Sequence, residues 1–288
     1  MKYVFMDENH GLFKITTMSR VLQVSRSGYY RCRKCGGKPS ARPLHRLTLD
    51  KWVKQVFEAG KGRNAAPRLA LGLADAGHHS DHKTVAKNLR RQGLRAKAGR
   101  KFKSTTNSTH SLPVAPHLLK QGFVATVPNQ KYVCDITDLW ADEGWRYLAV
   151  VVDLYSRLVV GWAMSHRVTA QLVCDALQMD LWRHHMPTGV IVHSDRGSQY
   201  CSRIYRAWLQ DNGLLCSMSG KDNGYDNACA ESLFYSLKVE AIQGERFFTR
   251  AMMKRAVFDY IEVDYNRTRR PSANDFISPV LFEAQRVS

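Results

Sequence analysis

The sequence predicts an α/β domain with a mixed five-stranded sheet flanked by helices, preceded by an all-α basic region. Three observations carry this expectation. The apolar period changes from helical to strand-like near residue 130. From there, strand-like and helix-like runs follow in the order βββαβαβαα, the pattern of an α/β domain. All the excess positive charge lies before the change.

The charge is the strongest global feature. The chain has 288 residues and a formal net charge of +18. Residues 1–110 hold 24 Lys and Arg against 6 Asp and Glu, whereas residues 111–288 hold 19 of each sign. A basic half that meets a polyanion and a neutral half with another task would account for this. Solubility alone rarely needs the excess confined to one end. The length suits one large domain or two modest ones. No apolar run approaches the roughly 18 residues of a membrane span. The opening "MKYVFMDENHGLF" carries acidic and polar residues where a signal peptide needs an apolar stretch. The expectation is a soluble cytoplasmic protein with no membrane partner. Seven cysteines, an odd number spread from Cys32 to Cys229, fit reduced thiols rather than a disulfide framework.

The first elements are helical. "FKITTMSRVLQVSRSGYYRCRK", 13–34, reads as helix, turn, helix, with Ser25 or Ser27 as cap and Arg20, Arg26, Arg31 and Arg33 outside. A helix-turn-helix and a plain αα-hairpin both fit this pattern. "GGKPSARP", 36–43, is a Gly/Pro linker, after which helical spacing resumes over 44–60. Residues 66–94 again give helix, turn, helix, followed by the basic run "RRQGLRAKAGRKFK". The weakly patterned "STTNSTHSLPVAP", 104–116, marks the main boundary. The expected organisation is a basic segment at 1–38, a second helical DNA-binding-like unit at 44–103, a linker at 104–123 and an α/β domain at 124–288.

In the second half, 130–140, 145–156 and 157–165 read as strands, the middle one apolar on both faces as a central strand should be. Residues 169–185 read as a helix. "GVIVHSD" is a strand ending in Asp195, and 202–213 is a helix stopped by Gly213. "LLCSMS" is a short strand, "KDNGYDN" a loop, 228–242 a helix, and a last helix runs from about Arg250 to Tyr265.

Three acids stand out by position: Asp135 inside the first strand, Asp195 at the end of the fourth, and Glu231 in the first turn of a helix, 36 positions after Asp195. "DIT" in a strand, then "HSDRGSQY", then "DNACAESLFYSLKVE", resembles the retroviral-integrase-like transposase core, with two Asp and one Glu. The match extends through "EGWRYLAVVVDLYSRLVVGWAMS", "SMSGKDNGYDNA", "SRSGYYR" and "HKTVAKNLRRQGLRAKAGRKF", and so over nearly the whole chain. It is most similar to the second-frame (OrfB) subunit of insertion-sequence family three. The resemblance implies a ribonuclease-H-like fold with the first and fourth strands adjacent, and DNA strand cleavage followed by strand transfer. It also implies metal held by Asp135, Asp195 and Glu231.

The chemistry needs such a donor set. Phosphodiester cleavage requires an activated water or 3′-hydroxyl and a stabilised leaving oxygen, which two Mg²⁺ ions roughly 3.5–4 Å apart supply. Mg²⁺ takes hard oxygen ligands and few protein carboxylates. Mn²⁺ is expected to substitute. Gly197 is expected to let the chain turn away after Asp195. A helix N-terminus favours ionised Glu231.

Other residues leave alternatives open. Lys238, two helical turns after Glu231, resembles the family's contact to the DNA end, or is a solvated lysine. Asp138 stands where the family commonly has an aromatic residue, and is expected to point into solvent. Asp153 matches a family position but is expected to tie down the "YSR" turn. Cys32 and Cys35 with His79 and His82 lack the spacing of a zinc finger. "YNRTRRPSANDFISP", 265–279, departs from the family in having Pro271 and no glycine, which leaves that segment's role open. The implied partners are element-end and target DNA, self-association on DNA, and the first-frame (OrfA) protein as separate chain or fusion. A basic regulator with an inactive α/β fold, and a nuclease acting on RNA–DNA hybrids, are the competing functions. The intact acid triad speaks against the first, and the "DNACAES" context and basic arm against the second.

Overall fold

Strand β1 (Lys131–Ala141) is the axis of the second half of the molecule. It pairs antiparallel with β2 (Gly144–Asp153) along its whole length. On its other side it pairs in parallel with β4 (Ile191–Ser194), but only over Lys131–Val133. With β3 (Val159–Ser165) and β5 (Leu215–Met218), the computed structural model forms one sheet in the order β3-β2-β1-β4-β5. The first and fourth strands are therefore neighbours, as expected. The structure describes residues 2–34, 41–97, 113–119, 122, 124–183, 187–220 and 227–287. Cys35, the linkers at 36–43 and 104–123, the basic run after Lys97 and the loop at 221–227 fall wholly or largely outside these.

Alternation along the strands sends side chains to two cores. Val133, Leu139, Leu148, Val150 and Val152 pack with α10 (Ala228–Leu237) and α11 (Arg250–Phe258). Tyr132, Cys134, Ala149 and Val151 pack on the opposite face with α7 (Ala170–Arg183) and α9 (Arg203–Asp211), the latter preceded by the single turn α8 (Ser198–Cys201). β2 is buried on both faces, which explains its unbroken apolar run. Gly161 on β3 lets α7 lie close: a Cβ there would sit 2.0 Å from the Ala176 carbonyl oxygen.

Two expected helices change character before they end. The helix predicted to reach residue 242 stops at Leu237 and continues as a π-helical stretch, Lys238–Ile242. The one predicted from Arg250 to Tyr265 turns π-helical over Asp259–Thr268. Apolar spacing cannot separate the two hydrogen-bond patterns over so few residues. The segment 265–279 proves to be a fastener. Asn266 exchanges two 3.0 Å hydrogen bonds with the Val159 backbone, and the Asn274 amide donates to the Ser156 carbonyl at 2.5 Å. A last helix, α12 (Pro279–Val287), follows it, one that the sequence pattern does not announce.

The chain divides at Lys97 into two units by its internal contacts. In the first, α1 (Lys2–Glu8), likewise absent from the sequence expectation, packs Tyr3 and Met6 against Met18 of α2 (Ile15–Val21) and Tyr29 of α3 (Arg26–Lys34). Two turns of helix are marginal alone, and packing supplies the stability. Ser25 caps α3, its Oγ accepting from the Gly28 N–H at 3.0 Å. Arg20, Arg26, Arg31 and Arg33 are exposed, as expected. Helix α4 (Ala41–Ala59) begins three residues early, because Pro43 is tolerated in a first turn. It packs Leu49, Val53 and Phe57 against α5 (Ala66–Asp75) and α6 (His82–Gln92). Asp81 caps α6 by accepting from the Lys83 N–H at 2.8 Å, and Gly93 ends it in the left-handed region at φ 69°. No helix among the described residues is long and apolar enough to cross a membrane.

Candidate active site

Asp135 and Asp195 come together because of strand register. β1 and β4 align Val133 with His193. Each acid lies two residues beyond that last pair, in the same direction along the parallel strands. Both line one open cleft, whose walls include Asp138, Trp145, Tyr147, Val168 and Gln199. No lysine or arginine lines it among the described residues.

Each carboxylate is anchored by one backbone donor. Asp135 Oδ1 accepts from the Ile136 N–H at 2.8 Å, and Asp195 Oδ1 from the Gly197 N–H at 2.9 Å. The second bond makes the turn after β4. Gly197 itself has φ −58°, open to any residue, so the expected need for glycine there is not conformational. Burial, and then the charge of Asp195, push the Asp135 carboxyl well above the usual range. The Ile136 N–H, and to a lesser degree Lys238, oppose this, while Glu231 adds to it.

Glu231 sits in the first turn of α10 on its exposed side, while Ala230, Leu233, Phe234 and Leu237 hold the helix to the sheet. Its charge reaches Asp135. Among the described residues, however, no three acid, histidine or cysteine side chains converge tightly enough to hold one ion. The fold thus joins two of the three acids directly and sets the third on the element beside them.

Lys238 and Asp138 pair with each other, Nζ to Oδ1, at 3.5 Å. This corrects the expectation that Asp138 simply points into solvent: it is half exposed but engaged. Asp153 behaves as expected. Fully buried, it accepts from the Tyr155 N–H at 2.9 Å, the Asn129 N–H at 3.4 Å and Ser156 Oγ at 3.5 Å, and burial pushes it up to about 7.

Three residues at the site were not singled out from sequence. Tyr200 lies fully buried beside the acids, its phenol pushed up by burial and then by the charge of Asp135. Trp145 and Tyr147 form the cleft wall. Their signal was their alternation in "GWRY", which puts both on one face of β2. Of the cysteine–histidine set, Cys32 is half-buried in α3.

Comparison with known proteins agrees with this architecture. The family model "Integrase core domain" matches residues 125–223, and a second model of that description matches 231–287. The fold is accordingly the ribonuclease-H-like one. The chain is 52% identical over 288 residues, all of both chains, to "Transposase InsF for insertion sequence IS3A" of Escherichia coli (strain K12). It is 42% identical over 265 residues, 92% of this chain and 97% of the other, to "Insertion element IS600 uncharacterized 31 kDa protein" of Shigella sonnei. Among solved structures it is similar to the HTLV-2 integrase catalytic core domain in complex with magnesium, at 14% identity and a TM-score of 0.39, covering 56% of this chain and 98% of that one. With half its residues shared over the full length of the InsF chain, and an integrase core where the sheet lies, this chain belongs to the family of insertion-sequence transposases.

Proposed function

We propose that the chain is the catalytic subunit of a DNA transposase and that its chemistry runs at Asp135, Asp195 and Glu231. The observation that carries this is the carboxylate pair. Two acids on adjacent strands share one partly buried cleft, with no lysine or arginine in its lining among the described residues. Like charges held so close favour a bound cation. Carboxylate oxygens in small number, with room for water and phosphate, suit Mg²⁺ and also Mn²⁺. Asp135 and Asp195 would hold two such ions, and Glu231 would complete the set from α10. When bound, the metal supplies charge stabilisation and a more acidic water or 3′-hydroxyl.

The rest falls to the protein's own residues. The Ile136 and Gly197 N–H groups fix the two carboxylates before DNA arrives. Lys238, at the start of the π-helical stretch, would exchange Asp138 for a phosphate of the DNA end. The basic segments at 1–38 and 44–103 would hold DNA mainly through phosphates, and 104–123 would join them to the catalytic domain at 124–288. Cleavage at the element end frees a 3′-hydroxyl, which attacks a second phosphodiester without a covalent enzyme intermediate. The first-frame (OrfA) protein, separate or fused, would supply end recognition. Self-association on DNA would bring the ends together in the bacterial cytoplasm.

A strand-transfer assay tests this. Labelled element-end DNA and Mg²⁺ are incubated with the chain fused to its upstream partner, or with the same fusion carrying Asp195→Asn. Joined product from the first that vanishes with the second is expected. Undiminished product from the variant would overturn the assignment.

A further inference from the structure

The cleft has a wall that metal chemistry does not explain. Upstream, this face of β1 and β2 is covered, with Cys134, Ala149 and Val151 buried in the core shared with α7. Downstream it opens, and large aromatic rings stand in solvent. Trp140 and Trp145 are cross-strand partners, 53% and 48% exposed. Their rings pack edge to face with centroids 5.0 Å apart. Tyr147, two residues from Trp145 on the same face, lines the cleft with it, beside Asp135 and Asp195. Rings braced against each other yet left in water mark a recognition surface more than a core.

The charge of the wall selects its occupant. Asp135, Asp138 and Asp195 line the cleft, and no cation does among the described residues. A phosphate backbone running along the rings would meet mostly like charge, since Lys238, beside the wall, is paired with Asp138. A nucleobase is neutral and offers a π-face, which an indole accepts whatever the base. A paired base has both faces covered by its neighbours, so an indole can meet one only outside the stack. Resting on the placement of the chemistry at Asp135 and Asp195, we infer that Trp145 stacks on an unpaired base flanking the phosphodiester being cut. Trp140 braces the Trp145 ring from the edge, and Tyr147 borders the same base. Trp145 thereby sets which phosphodiester lies over the carboxylates.

The test measures cleavage rates of the partner-fused full chain on element-end duplexes with Mg²⁺. One substrate is fully paired, and others carry a mismatch at single positions flanking the cut. Trp145→Leu keeps apolar bulk without a π-face. It is expected to slow cleavage of paired ends roughly five- to a hundred-fold, the effect of losing one base–aromatic stack. Trp145→Phe is expected to keep most of the rate. A mismatch at one flanking position is expected to return part of the rate to Trp145→Leu, because the base is already unpaired. Equal rates for wild type and Trp145→Leu on paired ends would overturn the inference. So would a loss that neither Trp145→Phe nor any mismatch relieves, which marks a packing role. Asp195→Asn, run alongside, reports on the placement of the chemistry separately: normal cleavage by that variant removes the active-site assignment whatever Trp145 does.

Discussion

In the unit at 1–97, arginines and lysines stand on the exposed faces of short helices, whereas the sheet of the second unit gathers carboxylates into a cleft that no lysine or arginine lines among the described residues. The first arrangement is electrostatically cheap. Hydrated cations on flexible stems need no partner and act on a polyanion at range. The second is costly, since Asp135 is held where both burial and Asp195 oppose its ionisation. Charge that only attracts DNA can be spread over a surface. On the proposed assignment, charge that does chemistry on DNA has to be held by a rigid sheet.

Separating the two tasks is the strongest challenge to this contrast. Asp195→Asn or Asp135→Asn should lower strand cleavage by at least about a hundred-fold, the scale of losing one stabiliser of transition-state charge. DNA affinity, measured by filter binding, should stay within a few fold. Parallel loss of both would merge the two units' roles. The next largest effect concerns the sheet that the acids depend on. Gly161→Ala forces a Cβ to within 2.0 Å of the Ala176 oxygen. It should cost about 1–3 kcal/mol or more in denaturant unfolding. An unchanged midpoint would mean that α7 is not held tightly there.

The basic unit offers a graded test. Lys83, Lys87 and Arg90 lie exposed on α6. Replacing all three with Gln should flatten the slope of log affinity against log salt by about 0.9 for each phosphate left without its cation. A slope that does not move would take α6 out of the DNA-binding surface.

Smaller effects distinguish acid from acid. Burial pushes Asp153 from 3.8 up to about 7, so the folded chain keeps this proton more tightly than the unfolded chain. The native state therefore loses stability as pH rises from about 4 to about 7, and no more above that. Asp153→Asn cannot ionise, so its Tm relative to wild type should rise across that interval. A constant difference would show that the carboxyl is already ionised in the fold. Least of all, Asp138→Asn should remove the ion pair with Lys238 and tighten DNA-end binding by no more than a few fold, since a part-exposed ion pair is worth about 0–1 kcal/mol.

The comparison also separates what could be read from residues and what could not. The run of strands and helices was legible from local period, whereas the adjacency of the first and fourth strands was expected only through the resemblance of "DIT" and "HSDRGSQY" to an integrase-like core. Helix ends beyond Leu237 and Phe258 were not, because the same apolar spacing serves an α- or a π-turn. Helices α1 and α12 were not, since their apolar residues become a buried stripe only against the elements they pack on. Asp138 was misjudged because its partner lies 100 positions away in the chain.

By itself, the sequence determined the charge division, the βββαβαβαα order and the three acids, since these depend on residue type and local period. Only the tertiary structure decided which of those acids meet. It also decided that Lys238 reaches Asp138, and that Trp145 and Tyr147 stand exposed beside the carboxylates. Such pairings depend on register and on where one element stops covering another, and those are set by long-range packing that no local pattern records.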